Sequence, residues 1–145
     1  MRAAYPYWSE VPTRWNDNDI YGHVNNSVHY AAMDTVINRW MIEQGLLDIN
    51  DGDSIGLCVE SGCRYLAPIE YPDVLAVGLR IARLGNSSVT WEVGLVRARD
   101  ELSVAEGRFV HVFVDAQTRR PRPLSDRHRT AMEALLVDGA AVTAR

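Results

Sequence analysis

Between Asn25 and Gln44, apolar side chains leave almost no polar face. Val24, Val28, Ala32, Val36 and Trp40 recur every four residues, and Tyr30, Met33, Ile37 and Met41 form a second row. That spacing is the period of an α-helix, and Gly45 is placed to stop it. About 20 residues at 1.5 Å each make a rod near 30 Å long. Setting the residues at 100° steps leaves only a narrow polar strip of Ser27, Asp34 and Asn38. Most of the circumference of such a helix must be covered. Whatever fold the chain adopts has to be built around it.

The cover comes after a turn-rich stretch, DINDGDS. Four strand-like runs follow, IGLCVESGCRYL, DVLAVGLRIARL, SSVTWEVGLVRAR and LSVAEGRFVHVFVD, separated by APIEYP, GN and DE. Leu75, Val77, Leu79 and Ile81 alternate with small or charged residues, as do Val89, Trp91, Val93 and Leu95. The short gaps GN and DE read as hairpins between antiparallel neighbours. Ahead of the helix, YPYWSEVPTRW alternates too, but Pro6 and Pro12 each remove a ladder donor, so it suits an edge or irregular strand. Near the end, SDRHRTAMEALLVDG predicts a short helix capped by Ser125 or Asp126. The expected fold is α+β: a curved five-stranded antiparallel sheet wrapped around the long helix, in one domain spanning residues 1–145.

Composition removes several functional classes. With 145 residues, 47% apolar and 23% charged, the chain can bury a core without a staple and is neither disordered nor a repeat array. No stretch has the ~18 uninterrupted apolar residues of a membrane span, and the start lacks a basic region followed by an apolar run, so a cytoplasmic location is expected. All 15 basic residues are Arg, which suits phosphate oxygens, but a net charge of −4 argues against general nucleic-acid binding. Cys58 and Cys63 lie five apart in one predicted strand and should face opposite ways, which excludes a disulfide between them. No Cys or His spacing fits a metal site, and none is expected.

Chemistry concentrates just ahead of the helix. Asp17, Asp19, His23, Asn25 and Asn26 crowd into TRWNDNDIYGHVNN, with Gly22 to relax the backbone. A helix start needs acceptors for four unpaired N–H groups, and one Asp, Asn or Ser cap would serve. Five polar groups exceed that need.

At DNDIYGHVNNSVHY followed by Asp34, the chain resembles the hotdog-fold acyl-CoA thioesterases of the 4-hydroxybenzoyl-CoA thioesterase and YbgC type. RYLAPIEYPDVLAV, LGNSS and VDAQTRRPRPL resemble further segments of that family, so the likeness spans nearly the whole chain. GHVNN also resembles an element of the plant acyl-carrier-protein thioesterases. The resemblance implies hydrolysis of an acyl-CoA or acyl-carrier-protein thioester to free acid and thiol, without metal or organic cofactor, coenzyme A being part of the substrate. Asp19 falls at the family's catalytic carboxylate, as nucleophile or as general base for water. The backbone N–H of Asn26, and that of Asn25, would polarise the thioester carbonyl. The family builds its site between subunits, which implies a homodimer or a tetramer.

Other residues keep two readings open. His23 either orients substrate or Asp19, or bonds to a carbonyl of its own turn. Asp17 reads as a solvated turn residue or cap in preference to a second catalytic carboxylate, and Asp34 as a buried partner of an Arg such as Arg64. Trp15 is close enough to the motif to line an acyl pocket. Ser87 and Ser88, on the GNSS hairpin, are candidate contacts to the coenzyme A arm. Arg119, Arg120, Arg122, Arg127 and Arg129 are candidates for its phosphates or simply solvated. Two competing functions share the fold. A hydratase or dehydratase would pair Asp with His across four residues, whereas three separate Asp19 from His23 here; a non-catalytic acyl-CoA-binding domain would tolerate loss of Asp19.

Overall fold

The computed structural model describes residues 2–48, 50 and 52–137. Strand β1 (Tyr7–Pro12) leads through a short 3-10 turn (Trp15–Asp17) into helix α1 (Asn26–Glu43). Strands β2 (Ser54–Tyr65), β3 (Val74–Leu84), β4 (Ser88–Arg97) and β5 (Leu102–Asp115) follow, then helix α2 (Asp126–Glu133). The five strands form one antiparallel sheet in the order β1-β3-β4-β5-β2. The two short gaps close the β3–β4 and β4–β5 hairpins, and β1 lies on an edge, where its prolines do least harm to the ladder. Strand β2 crosses to the far edge and pairs only with β5.

Helix boundaries follow the local chemistry. Asn25 caps α1, and its side chain accepts the Ser27 N–H. After Gln44 the chain turns at Gly45, whose φ of +70° lies in the left-handed region that ends helices. Ser125 caps α2 by accepting the His128 N–H. The predicted α2 stretch runs on to Gly139, and its last residues, from 138, lie outside the described ones.

The concave face of the sheet holds α1. Met33, Val36, Ile37, Trp40 and Met41 pack against Leu75, Val77, Leu79, Val89, Trp91, Val93 and Leu95. The helix is covered on this side only. Asn26, Ser27, Ala31, Asp34, Thr35 and Ile42 are exposed, so the uncovered strip is wider than the polar one expected and includes apolar side chains. A single twisted sheet cannot close around a rod of this radius. Asp34 is accordingly not a buried partner of Arg64: its carboxylate accepts from Asn38 Nδ2 at 3.2 Å, while Arg64 approaches Glu106 at 4.0 Å. Both cysteines are free. Among the described residues no helix is long and apolar enough to cross a membrane.

One buried polar contact sits in this core. Trp91 Nε1 donates to Nδ1 of His111, which is 3% exposed, at 3.2 Å. An indole N–H only donates, so this His111 nitrogen must be unprotonated. Burial pushes His111 below the usual 6.5 despite the nearby Asp34 charge, and burial likewise lowers His29 and His128.

Two outcomes follow from this packing. Ile37→Ala should lower the unfolding free energy by about 2–5 kcal/mol, and Thr35→Ala on the open side by less than about 0.5 kcal/mol, measured by urea denaturation. The unfolded chain takes up protons on its histidines before the folded chain does. Stability is therefore full above about pH 6.5 and should fall as pH drops below it. His111→Gln should flatten that dependence in unfolding curves taken between pH 7 and pH 5.

Candidate active site

The segment between β1 and α1 is held at both ends. Thr13 donates through its backbone and its hydroxyl to the Asp73 carbonyl. Asp17 is 3% exposed and takes three bonds from Arg14, from the backbone N–H at 2.8 Å, Nε at 3.0 Å and Nη2 at 2.8 Å. Its carbonyl accepts the Asn25 N–H at 2.9 Å. Asp17 is thus a buried cap rather than a solvated turn residue, because Arg14 supplies the partner that burial requires.

Between Asp17 and the helix the chain makes a tight loop. The Asp19 N–H donates to the His23 carbonyl at 2.9 Å, and the Gly22 N–H returns to the Asp19 carbonyl at 3.0 Å. Gly22 has φ +83°, a backbone state other residues adopt at a cost. This loop turns the half-buried Asp19 toward the helix start. Its Oδ1 accepts the Tyr21 N–H at 2.9 Å, and its Oδ2 accepts Asn25 Nδ2 at 3.2 Å. Asn25 works in both directions, since its Oδ1 accepts the Ser27 N–H at 3.0 Å and the Ser27 hydroxyl at 2.7 Å. The Val28 N–H goes to the Asn25 carbonyl. Among the described residues the Asn26 N–H has no acceptor, which leaves one oriented donor of the first turn beside the Asp19 carboxylate.

Of the predicted site residues, the fold brings Asp19, Gly22, Asn25 and Asn26 together. The Asn25 N–H is spent on Asp17, so only that of Asn26 is free. His23 contributes its backbone carbonyl to the loop, and its side chain is exposed, while the Asp19 carboxylate takes its hydrogen bonds from Tyr21 and Asn25. Trp15 is 80% exposed and meets the Tyr71 ring edge-on at 5.9 Å. Ile20, Tyr21, Tyr65 and Leu66 are also exposed, an apolar rim at this end of the fold.

Ser87 and Ser88 stand elsewhere. Their hairpin is tied to the far end of the fold: the Phe113 N–H donates to the Ser87 carbonyl, and the Leu124 N–H to that of Asn86. Arg129 Nη2 donates to the Gly85 carbonyl at 2.9 Å. A cavity of about 380 Å³ opens there, lined by Gly45, Leu46, Phe113, Arg122, Leu124 and Arg127, among others. The 18 residues of α1, about 27 Å of helix, separate this end from Asp19. Arg122 is engaged by Asp53 and Asp115. Among the described residues no group of three His, Cys, Asp or Glu side chains is placed to hold a metal ion.

Sequence reasoning missed His29 and Tyr65. His29 is 4% exposed in the first turns of α1, with Nδ1 3.3 Å from the Asn25 carbonyl. The Tyr65 ring meets it edge-on at 5.1 Å, and the Tyr65 hydroxyl donates to the Asn26 carbonyl at 3.5 Å. Burial drives the Tyr65 phenol up to about 12. The available signal was a polar ring, three residues past Asn26, on a helix face otherwise filled by apolar side chains.

A five-stranded antiparallel sheet wrapped on one long helix is the hotdog architecture. Residues 13–133 match the model of the thioesterase-like superfamily, and the chain belongs to that family, whose chemistry is thioester hydrolysis. No curated protein sequence matches the chain. Among solved structures it is similar to the PA5185 protein of Pseudomonas aeruginosa strain PAO1, at 47% identity over 94% of this chain and 96% of that one, with a TM-score of 0.90. The PA2801 protein of Pseudomonas aeruginosa, a putative thioesterase, is 30% identical over 88% of this chain and 98% of its own, with a TM-score of 0.82. Slr0204 of Synechocystis, a 1,4-dihydroxy-2-naphthoyl-CoA thioesterase, shares the fold at 21% identity, covering 87% of this chain and 94% of that one, with a TM-score of 0.79.

Asn25→Ala removes the cap of α1 and should cost about 0.5–2 kcal/mol, whereas Asn25→Ser keeps an accepting oxygen and should cost less. Thermal unfolding of both variants reads the difference.

Proposed function

We propose that the protein hydrolyses an acyl-CoA or acyl-carrier-protein thioester to a free acid and a thiol, with Asp19 as the catalytic carboxylate. The observation that carries this reading is the bond from Asn25 Nδ2 to Asp19, which anchors the carboxylate beside the unpaired Asn26 N–H. A thioester carbonyl oxygen directed at that N–H places its carbon within reach of Asp19. The helix end adds an effective charge of about +0.5, and one such donor is worth roughly 2.7–4 kcal/mol in other acyl-transfer sites. Two routes use this arrangement. Asp19 attacks the carbonyl carbon to form a mixed anhydride, expelling the thiolate, and water then cleaves the anhydride; or Asp19 takes a proton from the attacking water, and the proton passes to the leaving sulfur. Neither route requires a bound metal or organic cofactor. Among the described residues no histidine side chain hydrogen-bonds to Asp19, which disfavours the proton transfers at carbon of a hydratase.

The open side of α1, the apolar rim around Asp19 and the unpaired edge of β2, where Val59 is 61% exposed, favour a homodimer, and pairs of dimers extend it to a tetramer. The Arg-lined cavity is one helix length from Asp19 of the same chain. In an antiparallel dimer the cavity, with Ser87 and Ser88, comes toward the partner's acyl site, where it suits the coenzyme A phosphates. A water-soluble thioester substrate supports the cytoplasm as the compartment of the reaction.

Asp19→Asn should reduce turnover by at least about a thousandfold with the circular dichroism unchanged, so that the protein is still folded in the assay. The assay is thiol release over a panel of aliphatic and aromatic acyl-CoAs. Near-normal turnover in this variant would remove Asp19 from the mechanism.

A further inference from the structure

The peptide between Asn25 and Asn26 is the structural unit that presents the donor. In a trans peptide the C=O and N–H point in opposite directions, so whatever holds the carbonyl aims the amide. Asn25 O is held on the inner side of the helix by His29 Nδ1 at 3.3 Å, in addition to the Val28 N–H at 2.9 Å. The imidazole cannot swing away: it is 4% exposed, and Tyr65 closes on its ring edge-on at 5.1 Å with an interplanar angle of 89°. Tyr65 then reaches past it to the next carbonyl, that of Asn26.

We propose that His29 is a positioning residue: by donating from Nδ1 to the Asn25 carbonyl it fixes the Asn25–Asn26 peptide plane and aims the Asn26 N–H outward, at the space Asp19 faces. The same bond polarises that peptide, because a carbonyl that accepts makes its own amide a stronger donor. His29 touches neither substrate nor Asp19, and its effect passes entirely through the backbone. The imidazole also supplies what a purely apolar residue at this inward position would not, a donor inside the first turns of a buried helix face. A structural role alone asks only for a ring of similar size. The inference rests on the reading of Asn26 as the donor to the thioester oxygen.

His29→Leu and His29→Met fill the space without a donor, and His29→Gln fills it with an amide N–H able to reach Asn25 O. In thiol-release assays the Leu and Met variants should lose roughly tenfold in kcat at unchanged KM, short of the 10²–10³-fold loss that follows outright removal of such a donor. The Gln variant should recover most of the loss. In folded samples, the Asn26 amide proton resonance should move upfield in the Leu and Met variants and return in the Gln variant. Equal kcat in the Gln and Met variants overturns the proposal, as does a wild-type kcat in either apolar variant; should one apolar variant not fold, the other carries the comparison. Asp19→Asn separates the two levels. If it abolishes turnover while the His29 variants remain normal, only the positioning role fails; if it retains turnover, the catalytic reading fails.

Discussion

Four N–H groups at the start of α1 have no acceptor inside the helix, and the way they are satisfied organises the rest of the molecule. Asn25 takes two of them, through its side chain for Ser27 and its carbonyl for Val28. The same side chain turns its amide hydrogens on Asp19. A cap that costs nothing extra to the fold therefore fixes the orientation of a carboxylate. The sheet matters to this arrangement because it anchors the helix that carries the cap: Ile37, Trp40 and Met33 bury the rod's inner face and leave its N-terminus at the rim.

Buttressing from outside makes the rim rigid. Asp17, neutralised by Arg14, accepts the Asn25 N–H, and Val24 donates to the Ile69 carbonyl at 2.7 Å. The loop bearing Asp19 is thus clamped between the 3-10 turn and the connection that follows β2. In the proposed reaction, preorganisation of this kind would let a weak set of neutral donors act on developing charge without rearranging first. The remaining surface is unfinished for a lone chain. The uncovered strip of α1, the β2 edge and the aromatic rim lie on the open side, and a dimer would close all three.

Much of the fold was legible because it rests on local rules. The fourfold spacing from Val24 to Trp40, Gly45 as a stop, and the two-residue gaps at the hairpins each have a short-range cause. What the sequence did not disclose depends on tertiary geometry. The period of α1 left only Ser27, Asp34 and Asn38 for solvent, yet Ala31 and Ile42 are exposed as well, because a single sheet reaches only one side. Asp17 read as a solvated turn residue or a cap, and nothing local revealed that Arg14 would pair with it and let the cap be buried. The pairing of β2 with β5 joins segments far apart in the chain, and no turn sets that register. At the site, Asp19, Asn25 and Asn26 stood out by their crowding and by resemblance. His29 did not, because its contribution is a bond to a backbone carbonyl that only the folded first turn creates.

The claim on which the account depends is that one thioester carbonyl is flanked by the Asp19 side chain and the Asn26 amide. A crystal structure of the Asp19→Asn variant holding an uncleaved acyl-CoA tests it most directly. The expected result is a carbonyl oxygen about 2.7–3.1 Å from the Asn26 nitrogen, with residue 19 facing the carbonyl carbon. A thioester bound with its carbonyl away from the start of α1, and with Asn26 still unpartnered, would contradict it.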